Sequence, residues 1–196
     1  MNRSNNELFL KLIKFAKEST DWQEKQTSQV GIIVVKMPKN NKRLLLNVKI
    51  KKNSNSPKGK FIKNRELLNS YKNVINNDNL KKIIIDNIQK PQDFVDIKNW
   101  EKIPSKIKGV YYSKIPGKKY PVVCIIPVND NGQENQNKKS QLFINNIEEL
   151  SIYKSLLNNL KLESLLAIIE DINREWIMYF DLYGINGPEK FFAKYN

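Results

Sequence analysis

Histidine is absent from this chain of 196 residues, and cysteine occurs once, as Cys124. Without histidine, no Ser-His-Asp triad, Cys-His pair or histidine metal site can be assembled within the chain. One cysteine excludes an internal disulfide framework and a cysteine-based zinc site. Cys124 lies in the apolar run "YPVVCIIPV", where a small buried thiol is expected. Arginine is scarce too: four residues (Arg3, Arg43, Arg65, Arg174) stand against 30 lysines. Base-specific readout leans on bidentate guanidinium contacts, whereas lysine acts as a flexible point charge. This composition therefore favours contact with a phosphate backbone over reading of sequence. Long hydrophobic runs are missing as well. No window approaches the roughly 18 apolar residues of a transmembrane helix, and lysines interrupt the opening "MNRSNNELFLKLIKF" too often for a signal peptide. The expectation is a cytoplasmic protein with no membrane association.

What is abundant is positive charge, and it is segregated. The net charge is +14. From Lys25 to Arg65 there are twelve basic residues and no acid, and from Lys102 to Asn129 six more, again with no acid. The remainder of the chain holds 16 basic and 20 acidic residues. Such segregation can create a positive face that attracts phosphates. A second explanation competes with it. Lysine, asparagine and isoleucine all have A/T-rich codons, so genome composition alone can raise the lysine count. It does not readily account for acid-free runs in a chain whose acids recur freely elsewhere.

The hydrophobic pattern gives an order of elements. Ser4-Asn5-Asn6-Glu7 has capping-box spacing ahead of Leu8, Phe9, Leu12, Ile13 and Ala16, which predicts an amphipathic helix ending near Ser19. "QVGIIVVKM" and "RLLLNVKIK" read as an antiparallel hairpin turned by "PKNN". In its second strand Leu44, Leu46, Val48 and Ile50 share one face and Leu45, Asn47, Lys49 and Lys51 the other, so the second face is expected to present lysine. A flexible basic loop, "KNSNSPKGK", leads to two short helices, "RELLNSYKNVINN" and "LKKIIIDNIQ". Phe94, Val95, Ile97 and Trp100 are expected to tie the next segment to the core. "KGVYYSKI" and "KYPVVCIIPV" form a second hairpin around a Pro116-Gly117 turn of type II chemistry. "NDNGQENQNKKS" reads as a mobile polar loop and "QLFI" as a fifth strand. From Asn146 the period is helical. The stripe of Trp176, Ile177 and Phe180, with Phe191 and Phe192, is expected to close the core or to form a partner face.

Catalytic patterns fail at their key residues. "NVK" at Asn47 to Lys49 offers an amide where a metal-dependent nuclease needs a carboxylate. Glu170, Asp171 and Glu175 read as a solvated helix face. "SPKGK" has too few glycines for a phosphate-binding loop. "GVYYSKIPGKKYPV" resembles the hairpin of GIY-YIG nucleases through Tyr111 and Tyr120, but no arginine follows until Arg174. The element order from Gly109 to Leu160 resembles double-stranded RNA-binding domains, yet Glu148 and Glu149 stand where those domains place lysines.

The sequence thus predicts an α+β protein. Two antiparallel hairpins and a fifth strand would form one sheet covered by helices, in a single domain. Within it, residues 1–145 would be a basic core, with an acidic helical region, 146–196, packed on it. The expected function is non-catalytic nucleic-acid binding, with no cofactor and no metal. Lys36, Lys39, Lys42, Arg43, Lys49, Lys51, Lys52, Lys58, Lys60 and Lys63 would contact the backbone. Lys114, Lys118 and Lys119 would form a second track, with Tyr112 or Tyr120 stacking on bases. The alternative is a protein-interaction adaptor or homodimer that uses its C-terminal helices; a metal-dependent nuclease is the remote third reading.

Overall fold

The structure, a computed structural model, describes residues 3–18, 24–26, 32–36, 44–49, 59–89, 98–118 and 120–196. The protein is a mixed α+β chain. It divides into two compact units, Met1–Arg65 with Leu160–Asn196, and Glu66–Asn159. The two predicted hairpins lie in separate four-stranded sheets, one in each unit, rather than in one shared sheet. Residues 24–26, 59–62 and 102–104, which the sequence pattern did not mark as strands, complete them together with the expected strand at "QLFI".

In the first unit, helix α1 (Arg3–Glu18) precedes a meander of β1 (Glu24–Gln26), β2 (Ile32–Lys36), β3 (Leu44–Lys49) and β4 (Gly59–Ile62). Each strand pairs antiparallel with the next. Helix α1 begins one residue before Ser4, so Ser4 is not the cap its spacing suggested. Leu44, Leu46 and Val48 are buried as their alternation requires. They form the core with α5 (Leu160–Tyr183), which contributes Leu162, Leu166, Ile169 and Ile172, and with Leu12 and Ile13 of α1. Asn173 of α5 clamps the start of β3: its Nδ2 donates to Leu44 O and its Oδ1 accepts from Leu44 N, both at 2.9 Å. Helix α6 (Gly187–Ala193) closes this end through Phe191 and Phe192. A Cβ on Gly187 would stand 2.5 Å from Tyr179 O, so the approach of α6 to α5 requires glycine.

The second unit runs α2 (Arg65–Ile75, its first residue in the other unit), α3 (Leu80–Gln89), β5 (Lys102–Pro104), β6 (Val110–Ser113), β7 (Val122–Ile125), β8 (Leu142–Ile144) and α4 (Ile147–Leu157). The four strands are antiparallel neighbours in chain order. The turn between β6 and β7 has the expected chemistry: Lys118 N donates to Ile115 O and Gly117 takes a φ of 77°. Register puts Val110, Ile125 and Leu142 on one face with Tyr112, Val123 and Ile144. This face meets the helices: Asp86 of α3 lies near enough to raise the Tyr112 hydroxyl pKa, after burial itself. The outer face carries Tyr111, Cys124 and Phe143 in one row. Asn146 caps α4, accepting from Glu149 N at 2.8 Å.

The polar loop after β7 is a built element rather than a loose connector. Glu134 accepts from Gly109 N at 3.0 Å and from the Tyr111 hydroxyl at 2.7 Å. Asn129 and Gln133 close the tip. These bonds fasten the loop to the sheet at Gly109 and Tyr111. Gly109 itself has a φ of 77°, and a Cβ there would meet Ile126 O at 2.5 Å; only glycine fits.

Candidate nucleic-acid interface

Six of the predicted basic residues, Lys36, Lys49, Lys60, Lys63, Lys114 and Lys118, fall among the described residues. Lys39, Lys42, Arg43, Lys51, Lys52, Lys58 and Lys119 lie outside the described residues. Lys36 ends β2 opposite Leu44, while Lys49 ends β3 opposite Gly59, so the two stand at opposite ends of the first sheet. Lys60 of β4 pairs with Val48 and is half-buried, which puts it in register with the core-facing row. Lys63 follows β4 and is exposed.

On the face expected to present lysine, Asn47 is only 4% exposed, and its Oδ1 has no hydrogen-bond partner among the described residues. It sits on an interior strand, flanked by β2 and β4, with Phe61 directly opposite.

In the second unit the predicted track is partly rearranged. Lys114 sits at the end of β6, half-buried and bridged to Asn99, and Lys118 is exposed just past the turn. Tyr120 is exposed at the entry to β7. Tyr112 belongs to the helix-facing row and cannot share a platform with the outer-face aromatics. On that outer face the half-buried aromatics are Tyr111 and Phe143. The hydroxyl of Tyr111 is held by Glu134, which, ahead of burial, pushes its pKa up to about 12.

Sequence reasoning also misplaced Trp100, assigning it to the core. It is 59% exposed, with its indole edge-to-face on Phe143 at 6.4 Å between ring centroids. The segment's apolar spacing suggested burial; the turn that displays the ring is formed by main-chain bonds that spacing does not reveal.

Several acids of α5 have partners in the first unit. Glu170 accepts from Arg65 Nε at 2.7 Å, Glu175 pairs with Lys194 and Tyr195, and Asp171 lies 3.4 Å from Arg174. These are ion pairs rather than a bare solvated face. Among the described residues, no three histidine, cysteine or acidic side chains gather where they could hold a metal ion, and no helix is long and apolar enough to cross a membrane. Compared with protein-family models, curated proteins and solved structures, the chain matches none.

Proposed function

We propose that this chain is a non-catalytic nucleic-acid-binding protein that holds a phosphate backbone through lysine. The observation that carries the reading is the segregation of charge: eighteen basic residues in two stretches without an acid. Lys63, Lys102, Lys106, Lys114 and Lys118 belong to those stretches and form no ion pair among the described residues. Such ammonium groups can replace the counterions condensed on a polyanion. Binding of this kind is sequence-independent and modest, with Kd of about 10⁻⁴ to 10⁻⁶ M at physiological salt. Reversing Lys49, Lys51 and Lys52 together to glutamate tests it. The expected result is at least a tenfold loss of affinity for an oligonucleotide at about 50 mM salt. Unchanged affinity in the triple variant would remove the first acid-free stretch from the interface.

One observation favours a second reading, association through the C-terminal helices. At the end of α5, Leu182 is 66% exposed and Ile185 beyond it 91%, beside exposed Met178, Phe180 and Tyr183. On this reading the lysines are compositional and the apolar end of α5 meets a second copy of the chain. Light scattering over a concentration series would then give a dimer mass that Leu182→Lys abolishes. A monomer at every concentration would contradict it.

A further inference from the structure

The segment before β5 contains an unusual choice of residue. Lys98, Asn99, Trp100 and Glu101 form a four-residue turn closed by Glu101 N donating to Lys98 O at 3.0 Å. Glu101 Oε2 reinforces it by accepting from Lys98 N at 2.8 Å. Trp100 N donates to Lys114 O at 2.7 Å, tying the turn to the sheet. Trp100 occupies the third position with a φ of 66°, the one non-glycine residue with positive φ among those described. That is the type II position that calls for glycine or asparagine, and a bulky aromatic there is strained. Burial does not compensate, because the indole is 59% exposed. Strain held in place by three hydrogen bonds, with no burial in return, is the pattern of a displayed functional side chain.

The surroundings indicate what the ring is displayed for. Phe143 belongs to β8, and two strands separate it from β5. The indole, edge-to-face with Phe143, therefore lies over the outer face of the sheet in a residue that is 59% exposed. Lys98 and Lys102 flank it in the chain, Lys114 supports it across the main-chain bond, and none of the three has an ion-pair partner among the described residues. An exposed aromatic ring with Lys98 and Lys102 near it in the chain complements a ligand with flat rings strung along a negative backbone. In a duplex those rings face one another and are not available.

We propose that Trp100 is a base-stacking platform, so that the second unit takes single-stranded rather than duplex nucleic acid. This rests on the nucleic-acid reading above and names the form of its ligand. The test uses the full chain, a fluorescein-labelled oligothymidylate of fifteen nucleotides, the matching oligouridylate, and a fifteen-base-pair duplex. Trp100→Ala is expected to weaken single-strand binding by roughly tenfold or more, the effect of losing one stacked base, with duplex binding and the salt slope unchanged. Trp100→Phe retains most of the affinity. Trp100→Gly relieves the backbone strain, so it keeps the wild-type melting temperature or exceeds it while losing single-strand affinity as alanine does. A tryptophan with a purely structural role would give the opposite pair of results for glycine, a lower melting temperature and unchanged affinity. Equal binding of wild type and Trp100→Ala to single strands overturns the stacking site while leaving the charge-based reading standing. Failure of every probe to bind at low salt overturns both.

Discussion

Tyrosine shows how much of this protein's chemistry is decided by local surroundings. Tyr71 is buried in α2 and donates its hydroxyl to Ser140 O, and burial drives its pKa well above the ordinary range. Tyr153 is pushed up to about 12 by burial and then by Glu149, and Tyr111 up to about 12 chiefly by its bond to Glu134. A phenol whose folded pKa exceeds its unfolded value binds its proton more tightly when folded. Its contribution is fully present below about pH 10 and is lost as pH climbs through the folded value. In an alkaline titration followed by phenolate absorbance, Tyr111 and Tyr153 are therefore expected to ionise only near pH 12 and Tyr71 higher still. A parallel fall in denaturant midpoint is expected as pH climbs from about 10 towards those values. A single phase near pH 10 would contradict the placement of these three rings. None of this was legible beforehand, because neighbours distant in the chain, such as Glu134 and Ser140, set the environment.

At the scale of elements, periodicity carried most of the fold. Alternation in β3 placed Leu44, Leu46 and Val48 in the core, and the Pro116-Gly117 dipeptide located the turn of the second hairpin. What periodicity could not mark were strands of three or four residues, such as β1, β4 and β5, too short to show a period. Nor could it show that β3 has neighbours on both sides, or that Asn47 is buried. The apolar stripe of α5 is divided: Trp176 is 2% exposed, whereas Phe180, one turn on, is 41% exposed. Helix and sheet of the first unit are joined by a specific device, the Asn173 clamp on Leu44. Asn173→Ala would leave a main-chain donor and acceptor of a fully buried residue without partners, at a cost of about 2 kcal/mol. Urea denaturation is expected to show a lower midpoint with an unchanged slope. A midpoint equal to wild type would mean that α5 docks on β3 by apolar packing alone.

At the scale of the whole molecule, net charge was the most legible property and the site the least. The acid-free stretches are plain in the sequence, and they fall in different structural units. Which side chains would meet a ligand was another matter. Tyr112, one of two tyrosines expected to stack, belongs to the helix-facing row, and Trp100, expected in the core, is exposed. Register and turn geometry, which composition does not encode, set both placements. The account as a whole depends on lysines that exchange counterions for phosphates. The most direct measurement is fluorescence anisotropy of the wild-type chain with short single-stranded DNA, duplex DNA and RNA, from about 50 to 200 mM salt. Each neutralised duplex phosphate contributes about −0.9 to the log–log slope, and each single-strand phosphate about −0.7. The account predicts binding with a slope of about −4 or steeper on duplex DNA. No binding at the lowest salt would contradict it and leave the exposed end of α5 as the surface to pursue.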